Sequence, residues 1–135
     1  LALLELDGYQ RINEHHGGSG GERILIELGR LLGGRVRRHD IVVRYGEDQF
    51  ALLLSACGVE AARGLLERLL ALIRDWEPAL EDGSRVRITV SAGIATYPDT
   101  GLVDCDSVET LLQAAEHALR VAGSRGGGRL AIYGE

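Results

Sequence analysis

Two apolar, strand-like runs, Ile41 to Tyr45 and Gln49 to Leu54, are separated only by Gly46-Glu47-Asp48, and no other feature of the chain restricts its fold so much. So short a gap, with a glycine free to take positive φ, reads as a tight hairpin. One strand pair is therefore antiparallel. The flanking sequence is helical: Ile24, Leu25, Leu28, Leu31 and Leu32 recur at helical spacing before the hairpin, in a helix expected to run to about Arg37. After it, Ala61, Ala62, Leu65, Leu66, Leu69, Leu70 and Ile73 repeat the spacing up to Trp76, with Pro78 as the stop. A hairpin embedded between helices requires a mixed sheet.

The remaining elements complete the pattern. Residues 1 to 6 form an apolar run closed by Asp7-Gly8, which predicts a buried strand, and a short polar helical stretch covers Gln10 to His15. Arg85 to Ile94 alternates, with Val86, Ile88, Val90, Ala92 and Ile94 on one face, as in a half-buried strand. Val108, Leu111, Leu112, Ala115, Ala118, Leu119 and Ala122 mark a last helix that ends in the glycines of 123 to 128, before a closing strand at Leu130 to Tyr133. Ser19 with Glu22, and Asp106 with Glu109, have the spacing of capping boxes for the second and last helices. The order β-α-α-β-β-α-β-α-β gives an α/β sandwich of ferredoxin-like, or palm, type: a mixed five-stranded sheet with flanking helices.

Composition narrows the chemistry. The chain has 135 residues, room for one domain with a core, and it is read as a single domain spanning 1 to 135. It opens at Leu1 inside an apolar run without Met, as a piece cut from a longer multidomain protein would. Its 15 positive residues are all Arg, so a phosphate-loop lysine or Schiff-base chemistry is excluded. With 20 acidic residues the net charge is −5, which argues against nonspecific nucleic-acid binding. No apolar run reaches the length of a membrane span, so no membrane contact is expected from this domain. Cys57 and Cys105 are too few for a disulfide framework or a zinc site and read as buried small hydrophobes. His15-His16 lacks a third ligand and reads as a solvated turn.

Packing does not explain three features: Glu5 within a buried strand with Asp7 at its end, the acidic turn Gly46-Glu47-Asp48, and Arg37-Arg38-His39-Asp40 before it. A lone carboxylate in a strand interior is costly without a partner. If the first strand neighbours the hairpin, Glu5 and Asp48 come together. Two carboxylates there suit Mg2+, a hard cation that also takes substrate phosphates, and metal-assisted nucleotidyl transfer is the natural reaction class.

These residues also carry a family likeness. Glu5-Leu6-Asp7-Gly8-Tyr9-Gln10-Arg11-Ile12-Asn13 is similar to D-x-D-x-F-K-x-I-N; Arg44-Tyr45-Gly46-Glu47-Asp48-Gln49-Phe50 to R-Y-G-G-D/E-E-F; and Thr89-Val90-Ser91-Ala92-Gly93-Ile94-Ala95 to T-V-S-x-G-I/V-A. The chain thus resembles, over nearly its whole length, a GGDEF domain, the diguanylate cyclase module of bacterial cyclic-di-GMP signalling. The resemblance implies two such domains meeting face to face, each holding GTP with Mg2+, with each ribose 3′-hydroxyl attacking the other nucleotide's α-phosphate. It implies metal ligation by Glu5, the Leu6 carbonyl and Asp48, with Asp48 and Glu47 at the reacting centre. It also places phosphate on the turn at Gly8-Tyr9, the nucleotide close to Gly46, and the guanine edge on Asn13 and Glu22. Capping alone would suffice to explain Glu22.

Departures from the pattern point away from turnover. Glu5 and Glu22 stand where Asp is usual. Glu47 replaces the second glycine of the signature, which lets the backbone pass close to the nucleotide, and Gln49 replaces a Glu. Gly123 and Gly127 stand where a Lys and an Arg normally hold phosphates, with Arg125 or Arg129 the expected substitutes. Charge-assisted contacts are worth about 1.5–3 kcal/mol each, so two lost cations and one added anion predict GTP binding weaker by roughly two to four powers of ten.

Arg37 and Asp40 match the family's inhibitory-site motif R-x-x-D, and Arg68 falls where a secondary product-binding Arg is found. Guanidinium groups fork onto phosphate and stack on purines. The expectation is a degenerate GGDEF domain acting as a regulatory or cyclic-di-GMP-binding module with weak or absent cyclase activity. The resemblance further suggests a homodimer, a tandem EAL or sensor domain, and a cytoplasmic site in a parent protein that is free or membrane-anchored. The alternatives are a working cyclase and a GTP-sensing regulator.

Overall fold

The computed structural model describes residues 1–98 and 107–135. The chain runs β1 (Ala2–Leu6), α1 (Tyr9–His16), α2 (Gly18–Gly33), β2 (Ile41–Arg44), β3 (Gln49–Leu53), α3 (Val59–Asp75), β4 (Val90–Ile94), α4 (Val108–Ser124) and β5 (Leu130–Ile132). The five strands form one mixed sheet in the order β2-β3-β1-β4-β5, with only the β4–β5 pair parallel. The expected element order and hairpin are present, and Gly46 takes the turn at φ +80°.

The sheet is covered on two sides. Leu4 and Leu6 of β1 pack with Ile24, Leu25 and Leu28 of α2 and with Leu66, Leu69 and Ile73 of α3. Leu3, on the opposite face, packs with Ala51 and with Ala114, Ala115 and Leu119 of α4. Alternate residues of one strand thus serve two cores. β4 lies under both layers, so all five of its residues are buried.

Several boundaries differ from expectation. Residues 85–89 keep the alternation, with Ile88 buried and Arg85, Arg87 and Thr89 exposed, but β4 starts only at Val90. Its partner explains this: Leu6 pairs with Val90, Asp7 N–H donates to the Thr89 carbonyl at 3.0 Å, and β1 then turns away at Gly8. α2 stops at Gly33-Gly34, short of Arg37. Ser19 does not cap α2, because the helix has begun by Gly18 and Gly17 is the cap residue, without a side-chain bond. Ser107 caps α4 instead, its hydroxyl accepting from the Thr110 N–H at 3.3 Å. Asp106 and Cys105 lie outside the described residues. Cys57 is half-buried beside the core, and the two histidines close α1, rings edge to face at 5.6 Å, rather than forming a turn.

Candidate functional site

The β1–β3 pairing sets the backbones of the candidate metal ligands side by side. Glu5 lies opposite Gln49, and the Leu6 N–H donates to the Asp48 carbonyl at 3.0 Å. Glu5 is half-buried, and its Oε2 accepts a hydrogen bond from the Gln49 Nε2 amide. A Glu at position 49 would repel Glu5 across the pair; the amide instead donates to it. Burial and the neighbouring Glu47 raise the Asp48 carboxyl above the usual carboxylate range. Glu47 itself is exposed.

Among the described residues no three His, Cys, Asp or Glu side chains converge on one point. The candidate donors are two carboxylates, Glu5 and Asp48, and the Leu6 main-chain carbonyl, all hard oxygens. That suits Mg2+, which keeps waters and takes ligand phosphates to complete its shell. Asp48, short of solvent and facing a second negative charge, is a group that a cation would favour.

Glu5 and Gln49 line a cavity of about 290 Å3 together with Glu116, Leu119, Arg120, Gly123 and Ser124 of α4. Gly123, where a lysine was expected, brings no charge to it. The cation present is Arg120, one turn earlier on the same helix face. Neither Arg125 nor Arg129, the expected substitutes, lines this space. Arg129 lies instead in a separate cleft with Arg63 and Arg74, and the Arg74 Nη2 donates to the Gly128 carbonyl at 3.1 Å.

Asp7 is a structural knot. Its carboxylate accepts from the Thr89 hydroxyl (2.8 Å), the Ser91 hydroxyl (2.7 Å) and the Gly128 N–H (2.8 Å), fastening β1, β4 and the loop after α4 to one another. Gly127 passes so close that a Cβ there would lie 3.2 Å from the Asp7 oxygens.

On the α1–α2 side, Gly8 at φ +68° caps α1, leaving the first-turn N–H groups after it without intrahelical partners. Tyr9 is buried. The Asn13 Oδ1 accepts from the Gly21 N–H at 3.1 Å, which sets Asn13 beside the turn bearing Glu22. Glu22 does not reach into a capping box. Its two oxygens accept from Nη1 and Nη2 of Arg44 at 3.1 and 3.2 Å, and the Arg44 Nη2 also donates to the Glu47 carbonyl at 2.6 Å. The fork holds the Glu22 carboxyl below its ordinary range and raises the Arg44 guanidinium above its own.

The remaining candidates gather elsewhere. The Arg37 Nε and Nη2 each donate to Asp40 at 3.0 Å, the Arg37 backbone N–H donates to Asp40 at 2.9 Å, and the Ser55 N–H adds a bond at 3.1 Å. This lowers the Asp40 carboxyl to about 2. The Arg37 Nη2 also donates to the Ser55 carbonyl. Arg37, Asp40 and Arg68 line one cavity of about 260 Å3 with Arg35, Cys57 and Leu65, and Arg68 forms no ion pair among the described residues.

Asp7 and Arg44 stand out in the sequence only as members of their motifs; what each holds, Thr89, Ser91 and Gly128 for one and Glu22 and Glu47 for the other, is given by the folded contacts.

The family model described as "Diguanylate cyclase, GGDEF domain" matches residues 1–129. The chain is 35% identical over 132 residues to diguanylate cyclase DgcP of Pseudomonas aeruginosa, covering 98% of this chain and 19% of that protein. It is 36% identical over 101 residues to the bifunctional diguanylate cyclase/cyclic di-GMP phosphodiesterase MucR of the same species, covering 75% of this chain and 14% of that one. The solved GGDEF domain of YfiN (TpbB), also from Pseudomonas aeruginosa, superposes with a TM-score of 0.88 at 28% identity, over 98% of this chain and 80% of that one. The chain spans between 12% and 34% of the length of seven of the curated relatives it matches.

Proposed function

Because the chain belongs to the GGDEF diguanylate cyclase family, we propose that it works in cyclic-di-GMP signalling as a degenerate, regulatory module that binds cyclic-di-GMP and has little or no cyclase activity. The observation that carries this reading is the contrast between two sites. Arg37, Asp40 and Arg68 line a single cavity, with Arg37 already oriented by its fork to Asp40. A guanidinium held this way loses little freedom when it meets a phosphate or a purine face.

The catalytic end is less well equipped. An amide engages Glu5, Glu47 adds negative charge, and Gly123 and Gly127 supply none of the cations that would hold a triphosphate. Arg120 offsets part of that deficit. If Mg2+ is bound, Glu5, the Leu6 carbonyl and Asp48 would hold it, and the ion would supply charge neutralisation for nucleotide phosphates. Within the same reading, Gly8 and Tyr9 offer backbone N–H groups to phosphate, Gly46 gives the nucleotide room, and Asn13 and Glu22 face the guanine. Pairing as a homodimer, a partner EAL or sensor domain in a longer protein and a cytoplasmic location belong to this proposal too. No described helix is long and apolar enough to cross a membrane.

The test is calorimetric titration with cyclic-di-GMP, and separately with GTP and Mg2+, followed by assay of the GTP sample for product. Saturable cyclic-di-GMP binding is expected, lost in Arg37→Ala and retained in Asp48→Ala, with no product formed. Product that disappears in Asp48→Ala would identify a working cyclase and overturn the proposal. GTP binding weakened by Asn13→Ala, without product and without cyclic-di-GMP binding, would identify a GTP sensor.

A further inference from the structure

The fork between Arg44 and Glu22 has a chemical meaning beyond an ion pair. A guanine base presents N1–H and the exocyclic N2–H side by side along one edge, two parallel donors that suit a single carboxylate. A guanidinium presents the same two-donor edge. Glu22 accepts from both terminal nitrogens of Arg44, at 3.1 and 3.2 Å, so its two oxygens are engaged as a guanine edge would engage them.

We propose that Arg44 is an internal competitor for the guanine base, occupying the Glu22 carboxylate so that a guanine nucleotide enters only by displacing it. This rests on the reading above that Glu22 faces guanine, and adds what regulates access to it. Two particulars of this chain support it. Glu22 has one methylene more than the aspartate expected there, which extends the carboxylate towards the hairpin. Arg44 is also held from behind, by the Glu47 carbonyl at 2.6 Å and by the Phe50 ring, whose centroid lies 6.0 Å from the guanidinium carbon. The mimic is therefore fixed in place, and the substituted turn residue Glu47 supplies, through its backbone, one of the contacts that fix it. Adenine presents an acceptor at N1 beside its single N6 donor, so it cannot make the paired two-donor contact with Glu22 whether or not Arg44 is present.

The probe is guanosine, which has no phosphate for Arg44 to attract, titrated into the whole domain and followed by amide chemical shifts, with adenosine as control. Arg44→Gln is expected to bind guanosine about fivefold more tightly, equivalent to about 1 kcal/mol, with adenosine unchanged. Arg44→Lys should fall between, since an ammonium keeps the charge but cannot fork, and it retains a folded control should Arg44→Gln perturb the hairpin. The gain should vanish when Glu22→Gln is added. Unchanged, weaker or undetectable guanosine binding by Arg44→Gln, with Glu22→Gln still weakening the parent domain, would overturn the competition while leaving Glu22 as the guanine carboxylate. If Glu22→Gln alters guanosine binding in neither background, the guanine reading itself falls, and the competition with it.

Discussion

Gly93 shows how much a single position can decide. A Cβ built there would lie 2.3 Å from both the Ala115 carbonyl oxygen and the Leu119 nitrogen and 2.8 Å from the Leu119 Cα. All three are backbone atoms of α4, so no rotamer change relieves the overlap, and the helix must lift from β4. Gly93→Ala is therefore expected to cost at least about 2 to 3 kcal/mol, at or beyond the usual range for overpacking, measured by urea unfolding; a cost near zero would mean that α4 does not rest on β4 at this point. The glycine was visible in the sequence as part of Thr89-Val90-Ser91-Ala92-Gly93, but its reason was not, because the reason lies in a helix more than twenty residues away. The same limit applies to the site residues. Glu5 could be singled out because a carboxylate within an apolar run is anomalous in one dimension. Arg44 was legible only as part of its motif, and its role was not, since an arginine beside a turn is ordinary until Glu22 is seen opposite it.

At the scale of elements, hydrophobic period fixed the helices and strands, whereas their ends were set by groups that period does not record. The last helix is the clearest case. Its cap is Ser107, whose hydroxyl accepts from the Thr110 N–H, while the Ser19 motif lies inside α2 and caps nothing. Ser107→Ala should lower stability by about 1 kcal/mol, the usual value of a side-chain N-cap. Ser19→Ala, on an exposed first-turn position, should change it little. Thermal or urea unfolding of the pair decides it, and equal effects would refute the assignment of the cap. The short β4 has a similar lesson. Alternation from Arg85 to Ile94 records which residues face the core, but a strand also needs a partner, and β1 leaves the sheet at Asp7-Gly8. The partner's turn therefore ends β4 where its own pattern does not.

Stability against pH belongs to the whole molecule, because unfolding reads the summed difference in bound protons between the two states. Asp40 and Asp48, at opposite ends of β2 and its turn, act in opposite directions. The Asp40 carboxyl is depressed to about 2, chiefly by its hydrogen bonds from Arg37. Its contribution is therefore full above the unfolded value of about 4 and is lost as pH falls through the folded value. Glu22 and Asp82, lowered by Arg44 and Ser84 respectively, add to the same acid loss. Asp48 is raised, first by burial and then by Glu47, so its contribution is present in acid and lost as pH rises through its folded value. It opposes the fold at neutral pH. Urea unfolding from pH 7 down to about 2 should thus show Asp40→Asn less stable than the parent at neutral pH, with the gap narrowing steadily towards pH 2, where the parent's Asp40 is about half protonated. Asp48→Asn should show the converse, more stable than the parent at neutral pH and level with it in acid. Curves parallel to the parent at every pH would mean that neither charge has the environment described. The pairing of signs also separates two kinds of carboxylate: Asp40 is paid for by the arginine that it orients, whereas the charge of Asp48 is held at a cost, desolvated beside Glu47 and only partly offset by Arg44.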